Sequence, residues 1–206
     1  MKAVRVVTVL LTSLAACAPT EVSGTLTVRT ADAAPQDLAR AADMLSARVQ
    51  EFLPSFRSTV TSSVHGHAIT LIFRGDPPPE EQIRYLATTR GELRIGPADE
   101  PSTVWVSDLD IEDVSLTSTD SGPFFTLRLK EQSGRALSEA TARNVGRVVL
   151  VTLDGRRILA APIRGAFGPT FQFNAPSVQE GLMMRAVLKG GRLPVVVESV
   201  DYGHGT

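Results

Sequence analysis

Residues 25–96 switch between two hydrophobic periods in an order that few folds accept. Thr25 to Thr30 (TLTVRT) alternates, with Leu26 and Val28 on one face, which predicts a strand. Pro35 and Asp37 then open a helix. Its Leu38, Ala41, Leu45, Val49 and Phe52 recur at spacings of three and four, and Pro54 ends it. Arg57 to Val64 and Ala68 to Arg74 read as two more strands around His65-Gly66-His67, the second with Ile69, Leu71 and Phe73 on one face. Asp76 is expected to cap a second helix, with Pro77-Pro78-Pro79-Glu80 in its first turn, Ile83 and Leu86 inward, and Gly91 as its stop. Leu93 and Ile95 mark a fourth strand. The order β-α-β-β-α-β is the split βαβ, or ferredoxin-like, plan.

A boundary is expected at Pro97 to Pro101, and a second unit follows. Val104-Trp105-Val106 and Val114 to Thr117 read as short strands around an acidic loop, and Phe124 to Lys130 as a longer one. Leu137, Ala140 and Val145 place a helix over about Ser133 to Asn144. Val148 to Leu153 and Arg157 to Ile163 flank Asp154-Gly155, a dipeptide suited to a type I′ hairpin turn because both of its residues tolerate positive φ. Thr170 to Phe173 is another strand. Ser177 and Glu180 form a capping box before a last helix, Gly190-Gly191 closes that helix, and Leu193 to Val200 is the final strand.

The formal charge is −1, which gives no electrostatic case for nucleic acid or an acidic membrane surface. Aromatic residues are only 5%, so the core must come from Val, Leu, Ile and Ala. At the N-terminus, Lys2 and Arg5 precede an apolar run from Val6 to Leu11 and then small residues, the layout of a signal peptide. The run is too short to span a bilayer, which takes about 20 apolar residues, and no later stretch is long and apolar enough. Leu14-Ala15-Ala16-Cys17 resembles the bacterial lipobox, which implies cleavage before Cys17 and lipidation of its sulfur and amine; Ala16-Cys17-Ala18 also fits ordinary A-x-A cleavage. Cys17 is the single cysteine, so no intrachain disulfide is expected.

One stretch carries a more specific resemblance. Thr141-Ala142-Arg143-Asn144-Val145-Gly146-Arg147, followed by the strand into Asp154-Gly155 and by Ala160-Ala161-Pro162, is similar to the head subdomain in the periplasmic domain of SecD, part of the SecDF export accessory translocase. Leu188-Lys189-Gly190-Gly191-Arg192-Leu193-Pro194 resembles the family's Leu-Arg-Ala-Gly-Ala-Leu-Pro, where the chain returns from head to base. Leu45-Ser46-Ala47-Arg48-Val49 resembles the end of the family's first base helix. The resemblance spans about 24–203 and is weakest over 97–123. It implies an α+β fold with a ferredoxin-like (split βαβ) base and an inserted α+β head. The expected division is a lipoprotein signal peptide at 1–16, a tether at 17–24, the base at 25–96, the head at 97–192 and a return strand to the base at 193–203. The transmembrane helices of a SecD subunit find no counterpart, so the resemblance implies a fold and a binding surface, not a motor.

Candidate sites are few. His65-x-His67 offers two imidazoles, but a structural zinc takes four ligands and none stands close, so no metal is expected. His204 is read as part of a mobile tail. Asp108, Asp110, Glu112 and Asp113 lack the glycine and ligand ladder of an EF-hand and read as a solvated loop. No G-x-S-x-G or H-E-x-x-H occurs, so no catalytic residue, no cofactor and no enzyme activity are expected. Phe125 and Phe173 are assigned to the core. Phe167 and Phe171, flanking Gly168-Pro169, are the candidate peptide-binding surface. The expected function is a lipid-anchored protein on the periplasmic side of the cell envelope. Ala18 after Cys17 leans toward the outer membrane. Such a protein would bind a polypeptide client or a partner protein, as an accessory to export. The alternatives are a structural subunit of an envelope complex and a small-ligand or lipid-binding protein.

Overall fold

The computed structural model describes residues 22–53, 58–76, 78–120 and 122–204. The signal peptide, Cys17, Pro54, Arg57 and Pro77 lie outside them. The chain is mixed α+β, with two hydrophobic cores. The base core rests on a sheet of β1 (Val22–Thr30), β2 (Ser58–His65), β3 (Ala68–Gly75) and β11 (Val197–His204), in the antiparallel order β11-β1-β3-β2. Leu26 pairs with Leu71 and Val28 with Ile69, so the period-two face becomes one continuous apolar floor. Helices α1 (Pro35–Phe52) and α2 (Glu80–Thr88) lay their apolar stripes on it. Each fully buried Leu, Ile, Val or Phe here contributes about 1.5–3 kcal/mol.

This is the expected split βαβ with one exchange. Leu93–Pro97 (β4) does not complete the base sheet. It hydrogen-bonds to β8 (Val148–Leu153) and β5 (Val106–Ser107), in the order β5-β4-β8-β9, with β9 at Arg156–Pro162. The place beside β1 goes to β11, from the far end of the chain. Leu93 and Ile95 accordingly bury themselves in the second core. Local pattern makes both segments good strands; only their partners decide which sheet each joins.

The second core also takes one face of a three-stranded sheet, β10-β7-β6, formed by β6 (Ile111–Thr119), β7 (Gly122–Leu129) and β10 (Thr170–Asn174). Helix α3 (Glu131–Arg143) contributes Leu137. Helix α4 (Val178–Gly190) serves both cores: Ala186 and Val187 belong to the first, Met184 and Leu188 to the second. Ser177 caps α4 by accepting from the Glu180 amide at 3.1 Å, and Gly191 ends it at φ 80°. The β8–β9 hairpin turns at Asp154 (φ 51°) and Gly155 (φ 77°), the two positive values of a type I′ turn.

Several local expectations give way to tertiary packing. Helix α2 starts at Glu80, with Pro79 and not Asp76 at its N-cap position. Only Val106 of Val104-Trp105-Val106 enters a strand. Val145 lies beyond the end of α3 and is exposed. The acidic run is no loose loop. Asp108 to Asp110 form a single 3-10 turn, held by Asp110 accepting from the Ser107 amide at 2.8 Å and the Ser133 hydroxyl at 2.6 Å. His204 closes β11 opposite Gly24 and is no tail.

Candidate functional site

Three features stand out, two at the junction of the two cores and one on the second unit. The first is the neck, where the chain crosses twice, outward at 89–92 and back at 190–193. Arg48 sits on the buried stripe of α1 and is fully buried. Its guanidinium donates to the carbonyls of Leu86 at 3.0 Å, Thr89, Arg90 at 2.9 Å and Gly191. Burial lowers this guanidinium to about 10, and the Asp154 carboxylate opposes the shift, so it stays charged at neutral pH. From the other side, Asp154 at the hairpin turn accepts from the amides of Gly91 at 3.0 Å and Glu92 at 2.7 Å. The Leu193 amide donates to the Arg90 carbonyl at 2.8 Å, joining the two crossings.

The second feature is a cleft of about 550 Å³ beside this neck. Tyr85 and Thr89 of the α2 region form one wall, Leu153, Arg156 and Ile158 of the hairpin another, and Met183 and Met184 of α4 the third. Burial pushes the Tyr85 phenol up, so it is neutral at physiological pH and presents a donor. Arg156 and Arg157 on one side face Glu81 and Glu180 on the other, around an apolar floor. Unbranched methionines adapt to varied apolar shapes, which suits such a floor to more than one side chain.

The third feature contains the sequence-predicted residues. Phe167 and Phe171 are half-buried and stacked, with centroids 6.2 Å apart, and Phe171 stacks on Phe173 at 6.3 Å. Phe125 and Phe173 pair across β7 and β10 at 5.2 Å and are buried, as expected. The Phe167 loop is pinned by Thr141, which is fully buried, accepts from the Phe167 amide at 2.9 Å and donates to the Leu137 carbonyl at 2.8 Å. Gly134 allows Pro169 to approach: a Cβ there would lie 2.6 Å from the Pro169 Cβ.

The Thr141–Arg147 motif thereby acquires a physical meaning. Thr141 holds the aromatic loop. Asn144 ends the helix by donating to the Ala140 carbonyl at 2.7 Å and accepts from Arg147 at 2.6 Å. Gly146 supplies φ 91°. Arg147 grips Asp99 and Glu100, each at 2.6 Å, and holds Asp99 below the usual carboxylate range. Arg48, Asp154 and Tyr85 were not singled out as site residues by the sequence reading. Arg48 had a visible signal, a lone cation three residues from Leu45 on an apolar stripe; the Tyr85 wall had none.

His65 and His67 lie at the β2–β3 turn, with His67 3.8 Å from Asp32. Among the described residues no group of three or more His, Cys, Asp or Glu gathers to hold a metal. No helix among them is long and apolar enough to cross a membrane. Cys17 lies outside the described residues.

The fold defines a class: an α+β domain with a split-βαβ base, interrupted before its last strand by a head that has its own core. Residues 99–195 match the family model described as the SecDF P1 head subdomain. The protein translocase subunit SecD of Acidaminococcus fermentans is 29% identical over 132 residues, which are 62% of this chain and 30% of that protein. The chain thus spans less than a third of that relative's length. A crystal structure of SecDF in a super-membrane-facing form superposes with a TM-score of 0.70 at 17% identity, over 87% of this chain and 30% of that one. A second structure, from work on SecDF as a membrane component that enhances protein export, gives 0.64 at 17%, over 85% of this chain and 98% of that one. These two likenesses establish the fold.

Proposed function

We propose that the protein is a lipid-anchored component of the cell envelope, on its periplasmic side, that binds extended polypeptide or a partner protein close to the membrane, as an accessory to export. The observation that carries this reading is the stacked Phe167–Phe171 pair. It sits half-exposed on a SecD-like head, Phe167 on a loop pinned by Thr141 and Phe171 on β10, which among the described residues pairs with a strand on one side only. An open strand edge supplies backbone donors and acceptors to an extended chain, and adjacent aromatic faces supply apolar contact. No step in this reading needs a cofactor or a catalytic group. Export is what the named relatives serve, and it is assigned here by that likeness.

Anchoring follows from the lipobox at Cys17. Because β1 begins at Val22, only residues 18–21 separate it from the lipidated cysteine, a span of at most about 18 Å when fully extended. The base would then ride on the membrane surface, and the effective concentration of clients emerging there would be high, so weak binding suffices. Labelled palmitate is expected to enter the protein and to be lost on Cys17→Ser; no incorporation into the wild type overturns the anchoring.

Binding is tested by titrating the purified protein with a permanently unfolded model protein while following amide shifts. A dissociation constant of about micromolar or weaker is expected, with shifts centred on 165–173. Thr141→Val keeps the buried shape but leaves the Phe167 amide without its acceptor, so it should weaken binding several-fold. No binding at high micromolar concentration, or shifts confined to the base, would favour a structural subunit of an envelope complex instead.

A further inference from the structure

We propose that two copies of this protein associate through β2, each pairing it antiparallel with the other's, so that one sheet runs through both bases. In the base sheet β2 and β11 are the outer strands, and among the described residues no strand pairs with the far side of either. Natural edge strands are protected by charge, proline, bulges or shortness. β11 carries Glu198 and Asp201. The outer strands of the head are protected too: β9 has Arg156, Arg157 and Pro162, β6 has Glu112 and Asp113 with a register shift, and β5 and β10 are short. β2 has none of these devices. Its run of Ser, Thr and Val contains no proline, ends in His65 as its one ionisable residue, and pairs with β3 without a register shift.

The hairpin fixes where the free backbone groups of β2 point. Gly66-His67 is a two-residue turn between His65 and Ala68, which makes that pair a hydrogen-bonded one. By alternation Thr59, Thr61 and Ser63 bond to β3, while Val60, Ser62 and Val64 turn their N–H and C=O outward. A two-fold axis beside Ser62 sets Ser62 opposite itself and Val60 opposite Val64 of the second copy, each pair exchanging its backbone hydrogen bonds. The side chains fit this register. Val60 and Val64 share the face that carries the first core; Val60 is buried, whereas Val64 is 37% exposed and gains Val60 of the second copy as an apolar neighbour. On the opposite face Thr61 meets Ser63, a favourable hydroxyl pair. Near a two-fold axis residues meet their own kind, so a charged strand would oppose like charges. An uncharged strand of hydroxyl and β-branched residues avoids that repulsion, which favours a second copy over an unlike partner. The pairing leaves β10 and the Phe167–Phe171 stack untouched, so self-association and client binding are separate measurements.

The test uses the full chain with Cys17→Ser. Sedimentation equilibrium should show monomer and dimer in exchange, with a dissociation constant of about 100 μM or tighter. Ser62→Pro removes only an outward N–H, so it should weaken association by about tenfold or more while the circular dichroism of the fold stays the same. Val64→Lys should weaken it likewise. Ser62→Cys should cross-link to itself on mild oxidation, because opposed Cα atoms of a hydrogen-bonded pair lie about 5.5 Å apart, within disulfide reach. Val178→Cys, exposed at the start of α4, should not. A chain that stays monomeric at about 500 μM overturns the proposal. So does a dimer that neither Ser62→Pro nor Val64→Lys weakens, or cross-linking of Val178→Cys as fast as that of Ser62→Cys. If Ser62→Pro does not fold, Val64→Lys decides, and an unchanged dissociation constant overturns the pairing. A monomeric chain whose Ser62→Cys links to a different envelope protein overturns it as well and assigns the edge to a strand of that protein.

Discussion

Gly91→Ala is expected to lower the melting temperature by about 10 °C, and Gly146→Ala by only about 4 °C, at about 2–4 °C per kcal/mol for a chain of this size. The two glycines have nearly the same backbone, φ 92° and 91°, so the strain of placing an L-residue there is shared, about 1–2 kcal/mol. Their surroundings differ. Nothing lies within 4 Å of a Cβ built on Gly146. One built on Gly91 meets the Arg48 guanidinium at 2.8 Å and the Gly191 carbonyl and Val187 at 3.2 Å, and overpacking of this kind adds about 1–3 kcal/mol. The difference between the variants thus isolates the neck. Equal shifts in calorimetry would show that the crossing yields freely around Arg48.

Phe125→Ala carries the other large effect, a loss of about 3–5 kcal/mol, because the ring is fully buried and its deletion leaves a cavity against Phe173 and Leu116. The form of the transition is as informative as its size. Helix α4 lends Met184 and Leu188 to the head core and Ala186 and Val187, which lie between them on another face, to the base core. A head that unfolds must take α4 with it and so expose the base. The variant should therefore still unfold in one step. Trp105, the single tryptophan, packs against the head core and reports on it alone, whereas far-ultraviolet circular dichroism reports on both units. Coincident urea midpoints from the two probes are expected; a separate, earlier tryptophan transition would show that α4 does not couple the cores.

Much of this was legible along the chain. Period-two alternation placed β1 and β3, and the spacing of Leu38, Ala41, Leu45, Val49 and Phe52 placed α1, because one-sided burial forces those periods on any such element. Asp154-Gly155 announced its turn, since few residues accept two successive positive φ values. The Thr141–Arg147 stretch pointed to the SecD-like head, although its pattern did not reveal that Thr141 grips the Phe167 loop. Phe125 and Phe173 were readable as core. For Phe167 and Phe171, half-burial depends on how a loop folds back over α3, and no local signal carries that.

What the residues determined by themselves is the inventory: which segments are strands or helices, where the hairpin turns, and which faces must be covered. The partners were decided only in three dimensions. Leu93–Pro97 and Val197–His204 are both competent strands; the family resemblance implied that the second returns to the base, but nothing local says that the first joins the head sheet and leaves the open edge of β1 to the second. That choice depends on which edge is free once α4 has packed between the cores. Arg48 shows the same division. Its place on an apolar stripe was visible, but its four carbonyl partners come from residues 38 to 143 positions away, at two chain crossings that exist only once both units have folded.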